Sequence, residues 1–359
     1  MSAATALLAG NDAVPELAAQ VVEEALRRAG RAQANSVLLF LSPEFSRHAQ
    51  PAVRAAARAA QCTQVFGGIA AGLCTETGWA LDRPAAAAMV LCDGVSLRAP
   101  AAGGDAPLLS CTTTPFPSEW AHSRRCGLLF HGNGGDGAVW QQSRVAAAGS
   151  VDACMHGAAL RLAVSSGLHR LGMPLPVEQL RGYDLQSLGG QYALDSLLRQ
   201  LPAAWREHLP LHQVNALIED PDAPDGLQVA AIISANADRS LTLTVPLAAG
   251  QRLCWAIRQP LAAETEMRES LRQSDAAAGA APDFALFFSC IGRGPYFYGG
   301  EDRDLAALTE AHPGLPVLGA YGTGQIAFRG DASRQLHNSV VTAFFNEHPR
   351  ENEDVQSQS

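Results

Sequence analysis

Apolar residues at Val14, Leu17, Val21, Ala25 and Leu26 recur near the helical period and predict a helix from about Ala13 to Arg31. Behind it, Ser36 to Ser42 (SVLLFLS) is an unbroken apolar run of strand length and reads as a buried strand. Residues 51–61, PAVRAAARAAQ, form a second helix with Pro in its first turn, where the missing N–H costs nothing. Gln64 to Ile69 returns as a strand, and the chain breaks at the Gly72 loop. Strand, helix, strand in that order is a parallel βαβ unit.

The same order recurs near the C-terminus. Leu39-Phe40-Leu41-Ser42 matches Leu286-Phe287-Phe288-Ser289, and a helix follows each, the second over about Asp302 to Ala311. Val65-Phe66-Gly67 then matches Val317-Leu318-Gly319, and a further glycine stands five residues on in both copies, Gly72 and Gly324. Four features in one order predict a duplication. The fold class is α/β: two related halves with parallel or mixed sheets and βαβ units, facing a shared cleft. Their glycine loops then meet at the carboxyl ends of the strands, where open α/β sheets bind ligands.

The middle of the chain reads as a helix around Met155 to Val164 and another around Ser187 to Leu201. Strands follow at Gln228 to Ser234 and Leu241 to Val245. The run ADRSLTLTVPLAAGQRLCWAI, residues 237–257, alternates as a hairpin would. SDAAAGAAP, residues 274–282, ends a helix and links into the second βαβ unit. The polar, charged residues 346–359 read as a disordered tail.

Composition narrows the chemistry. The 359 residues are 47% hydrophobic and 17% charged, a globular balance with a large core and room for two domains. A net charge of −9 disfavours nucleic acid, whose backbone needs a basic face. All 26 basic residues are arginine. Without lysine there is no GxxxxGK[ST] phosphate loop and no lysine Schiff base. The eight cysteines form no CxxC and read as small buried hydrophobes. The longest apolar run, Ala85 to Cys92, is too short for a bilayer, and no basic region precedes the first apolar stretch. The expectation is a cytoplasmic protein without membrane or nucleic-acid partners.

Two segments carry a resemblance. LFFSCIGRG, followed by an acidic helix and VLGAYGTGQIAF, resembles the signature of the FIST-domain family, intracellular sensory proteins. In that family the first block typically ends Ser-Cys-x-x-Arg-Gly and the second Gly-Glu-Ile; here the second ends Gly324-Gln325-Ile326. VFGGIAAGLCTETG and GLLFHGNGGDG are similar to blocks of its N-terminal half. The resemblance implies a FIST N-like domain over 13–215, a FIST C-like domain over 216–345, and a tail over 346–359. It also implies binding of a small polar or anionic, amino-acid-like ligand, read by a signalling protein partner, without catalysis. Haem is the cofactor it leaves open, and no residue requires it. A Gln325 amide, unlike the family's carboxylate, is neutral and both donates and accepts.

The candidate site residues follow. Gly292 and Gly294 flank Arg293 directly after a strand, so the backbone can approach a ligand while the guanidinium fork takes a carboxylate or phosphate. The alternative is an arginine paired with a structural acid such as Asp302 or Asp304. Cys290 lines the same pocket; a nucleophilic role would need a histidine partner, and no Cys/His signature surrounds it. Tyr321, Thr323 and Gln325 offer a phenol, a hydroxyl and an amide on one glycine loop, with Gly72, Thr75 and Glu76 as the N-terminal counterpart. Residues 131–137 contain G-x-G-x-x-G, but Asp152 falls short of the spacing for a dinucleotide's ribose acid. His131, His156 and His169 are the histidines placed nearest the core for a metal or haem. No G-x-S-x-G elbow or paired carboxylates are present.

Overall fold

Three copies of one strand order, not two, build the larger part of the protein. The computed structural model describes residues 2–101, 104–130, 137–221 and 226–348. Its contacts divide the chain into two compact units: residues 1–166 with 267–359, and residues 167–266.

In the first copy, β1 (Ala3–Ala9) and α1 (Pro15–Ala29) precede the predicted βαβ unit, β2 (Ser36–Leu41), α2 (Ala49–Ala60) and β3 (Val65–Ile69). A hairpin, β4 (Gly72–Thr75) and β5 (Gly78–Leu81), leads to β6 (Ala85–Leu91), which inserts between β1 and β2. The second copy repeats this as β7 (Ser96–Arg98), β8 (Leu108–Thr112), β9 (Arg125–Leu129), hairpin β10 (Val139–Gln141) and β11 (Arg144–Val145), and β12 (Ser150–His156). Its crossover carries only a 3-10 turn at Ser118–His122. The third copy opens with β13 (Ala158–Ser165) and is interrupted in sequence by the second unit.

That unit is a closed antiparallel barrel. Its strands are β14 (Leu168–Arg181), β15 (Asp184–Leu188), β17 (Val214–Glu219), β18 (Leu227–Ala235), β19 (Leu241–Leu243) and β20 (Arg252–Arg258). The long β14 pairs with β20 through its first half and β15 through its second, which closes the ring. β16 (Gln191–Tyr192) extends β15, and α3 (Ala193–Gln200) and α4 (Ala203–Arg206) follow it. Leu185, Leu197, Ile218 and Trp255 fill the interior. The chain leaves through α5 (Pro260–Ala276) and completes the third copy with β21 (Phe284–Cys290), α6 (Arg303–Ala311), β22 (Val317–Gly322), hairpin β23 (Gly324–Arg329) and β24 (Ala332–Leu336), and β25 (Val340–Glu347).

Each copy forms one six-stranded sheet and gives its hairpin to another copy. The orders are β1-β6-β2-β3-β10-β11, β7-β12-β8-β9-β23-β24 and β13-β25-β21-β22-β4-β5. In every sheet the central pair is parallel and its neighbours antiparallel. One glycine marks the equivalence. Gly67 lies opposite Leu39, Gly127 opposite Ser110 and Gly319 opposite Phe287. A Cβ would fall 1.9 Å from the Leu39 carbonyl oxygen at Gly67, 1.9 Å from that of Ser110 at Gly127, and 2.4 Å from Cys74 Sγ at Gly319. Only glycine fits that approach. A shared backbone bond marks it again: Ser42 N–H to the Ala85 carbonyl, Thr113 to Gly149, and Cys290 to Ser339, at 3.0, 2.8 and 3.1 Å.

The inner faces of the three sheets share one core, with Phe40, Phe66 and Leu73 beside Cys111 and Leu128, and Phe288 and Leu318. Burying each large side chain contributes about 2 kcal/mol. The outer faces differ. Helices α1 and α2 cover the first sheet, and α6 with the end of α5 covers the third. Over the second, among the described residues, lie Trp120 and Phe116.

Several expectations are corrected. Residues 155–164 are strand, in β12 and β13, because their partners β8 and β25 supply a ladder that outweighs local propensity. Ser187 to Leu201 is strand before it becomes α3. The two strands of 237–257 do not pair with each other: β19 pairs β15 and β18, while β20 pairs β14 and β17. Asn346 and Glu347 belong to β25, and residues 349–359 lie outside the described residues. Among the described residues no helix is long and apolar enough to cross a membrane.

Candidate functional site

Arg293 is reached through a 3-10 turn at the end of β21, and its side chain is 1% exposed. Nε and Nη2 donate to the two oxygens of Asp304 at 2.8 and 2.9 Å. Nη1 donates to the Ser165 carbonyl at 2.9 Å, and Nη2 to its hydroxyl at 2.7 Å. The fork therefore grips an acid in the first turn of α6 and the last residue of β13. This is the structural-acid alternative open in the sequence.

Asp302, next to it, caps α6 by accepting from Leu305 N–H at 2.9 Å, and its other oxygen takes the Tyr321 hydroxyl. Burial, then the neighbouring Asp304 charge, pushes the Asp302 carboxyl up to about 6, against the pull of the Tyr321 and backbone donors. Burial, followed by Cys74 and Asp302, pushes the Tyr321 phenol well above its ordinary value. A Cβ on Gly294 would sit 3.1 Å from the Tyr321 ring, and one on Gly72 1.9 Å from Leu81 Cδ2 and 2.9 Å from that ring. Gly72 is Tyr321's ladder partner, while Gly294 lies in the turn after β21.

Thr75 and Glu76 stand at the other end of that ladder. Thr75 lies opposite Leu318 and bonds Thr77, 2.9 Å between hydroxyls. Glu76 accepts from Thr5 at 2.7 and 2.6 Å and from Val317 N–H at 2.9 Å. The pair is thus separated from Gly72 by about 10 Å of strand.

A second group of candidates does come together. Cys290, Gln325, Asn338 and Ser339 gather where β21 ends, β23 begins and β25 starts. Cys290 Sγ faces Asn338 Oδ1 at 3.8 Å, and Ser339 N–H donates to Gln325 Oε1 at 3.3 Å. Gln325 is fully buried, and its Nε2 has no hydrogen-bond partner. Such an atom costs about 1–3 kcal/mol, so the site is short of an acceptor. In the other two copies the equivalent positions, Leu73 and Val139, are apolar. Thr323 is exposed at the rim and donates to the Leu129 carbonyl at 3.3 Å. Gly292 lies within the Ile291–Arg293 turn, two residues after Cys290. Sequence reasoning missed Asn338 and Ser339, which lack a motif; the left-handed φ of 55° at Asn338 marks the turn that places them.

His156 and His169 are both exposed on strands, so neither is a buried axial ligand. His131 and residues 132–136 of the glycine motif lie outside the described residues. Among the described residues no three His, Cys, Asp or Glu side chains cluster for a metal.

An uncharacterized protein of Mycobacterium bovis is 23% identical over 200 residues, 54% of this chain and 52% of that protein. One from Mycobacterium tuberculosis is 22% identical over 200 residues, with the same shares covered. The match spans about half the length of these relatives. Residues 191–328 match the FIST C domain, taking in most of the barrel and the segment that carries Cys290, Arg293, Tyr321 and Gln325. FIST domains are sensory rather than catalytic, and this segment of the chain is similar to one.

Proposed function

We propose that the chain is a signal-transduction sensor for a small polar or anionic metabolite, which seats at the carboxyl ends of β21 and β22. Its acceptor group takes the Gln325 amide, with Cys290 and Asn338 alongside and Thr323 at the rim. The observation that carries this reading is the buried Gln325 Nε2 without a partner. A ligand oxygen there recovers the lost hydrogen bond, a gain the apolar equivalents Leu73 and Val139 cannot provide. Arg293 serves this site from behind: with Asp304 and Ser165 it fixes the turn that follows Cys290. The signal passes to a protein partner, because the chain carries no recognisable kinase, cyclase or DNA-binding motif.

The test is the side-chain amide resonance of Gln325, assigned by its absence in Gln325→Leu. On adding pooled amino acids and carboxylic acids, the reading predicts a downfield shift of that amide ahead of other glutamines. An unmoved Gln325 signal alongside binding seen elsewhere would sink the placement.

A further inference from the structure

One face of the second copy differs in chemistry from its two equivalents. Where the first and third copies have Leu39 and Phe287, the second has Ser110; where they have Val65 and Val317, it has Arg125. Opposite Ser110, in place of Ala88 and Thr342, stands Asp152. The three polar groups bond one another: Ser110 Oγ donates to Asp152 Oδ1 at 2.7 Å, and Arg125 Nη1 reaches the same oxygen at 2.5 Å and Ser110 Oγ at 2.9 Å. No α-helix covers them; Trp120, from the 3-10 turn of the crossover, lies over the Arg125 guanidinium at 4.5 Å. A charged network in place of an apolar layer suits water or a polar ligand.

Beside this network is a shallow recess, open to solvent, at the amino end of β3 and away from Gln325. Its walls include Gln64, Phe66, Arg98, Gln141, Gln142 and Asp152. Arg98 pairs with no acid among the described residues, the three amides form no hydrogen bond there, and Asp152 Oδ2 is unengaged. Arg98 and Arg125 against Asp152 leave one net positive charge, on a chain whose total is −9. Phe66 provides an apolar wall.

We propose that this recess is a second binding site, for a small organic carboxylate held on the Arg98 fork, with its remaining polar atoms on the glutamine amides. A planar guanidinium takes a carboxylate through two parallel bonds. The site is independent of the Gln325 corner.

The experiment is calorimetric titration of the full chain with acetate, succinate and citrate, repeated on Arg98→Gln and Gln325→Leu. Saturable binding of at least one carboxylate is expected, weakened tenfold or more by Arg98→Gln and unchanged by Gln325→Leu. Arg98 is exposed, so the variant should keep the wild-type melting temperature, which confirms its fold. No binding by any of the three acids overturns the proposal, as does binding that survives Arg98→Gln. Loss in Gln325→Leu alone would assign the carboxylate to the other corner.

Discussion

Arg293 and Asp304 are joined by two parallel hydrogen bonds, 2.8 and 2.9 Å long, with both side chains at most 1% exposed. Removing one partner leaves the other charge buried without compensation. Arg293→Ala should therefore destabilise the protein by about 3–5 kcal/mol in chemical denaturation. Replacing both, as in Arg293→Met with Asp304→Leu, should recover much of that loss. A single variant as stable as wild type would contradict the buried pair.

Asp302 gives a pH dependence with a definite sign. Its carboxyl is pushed up to about 6 from an ordinary 3.8, so the folded chain holds the proton more firmly than the unfolded one. The stability this contributes is full below about pH 4 and is lost as pH rises through about 6; two units correspond to about 3 kcal/mol. Asp302→Asn, which can still cap α6, should flatten the stability profile between those limits. Denaturation midpoints measured from pH 4 to 7 would show it, and an unchanged slope in the variant would refute the assignment.

The glycine equivalence predicts matching costs at two sites distant in sequence. Gly67→Ala and Gly127→Ala each drive a Cβ to 1.9 Å from a backbone oxygen, so each should lose at least about 2 kcal/mol. Gly94→Ala, with nothing within 4 Å, should stay within about 0.5 kcal/mol of wild type. Thermal melts of the three variants check this; equal stability of all three would undo the three-copy alignment.

Both βαβ units were legible because strand, amphipathic helix and Val-x-Gly follow one another in each. The second copy was hidden: its crossover lacks an α-helix, and Arg125-Cys126-Gly127 keeps only the glycine. The barrel was missed for a related reason. Its ladder joins strands such as β14 and β20, some 80 residues apart, a closure that no local periodicity records. At the site, sequence brought Cys290 and Gln325 into one candidate set and offered Asp304 as Arg293's partner. It also grouped Thr75 and Glu76 with Gly72, since loop proximity in sequence says nothing about which end of a ladder a side chain occupies.

The central claim is that Gln325 awaits a ligand. Its most direct test is a thermal-shift screen of wild type and Gln325→Leu, side by side, against amino acids, carboxylates and nucleotides. A ligand at 100 times its dissociation constant adds about 2.7 kcal/mol, a shift of several degrees. The prediction is at least one compound that raises the wild-type melting temperature and leaves Gln325→Leu unmoved. Compounds that stabilise both proteins equally, or none that stabilise wild type, would contradict it.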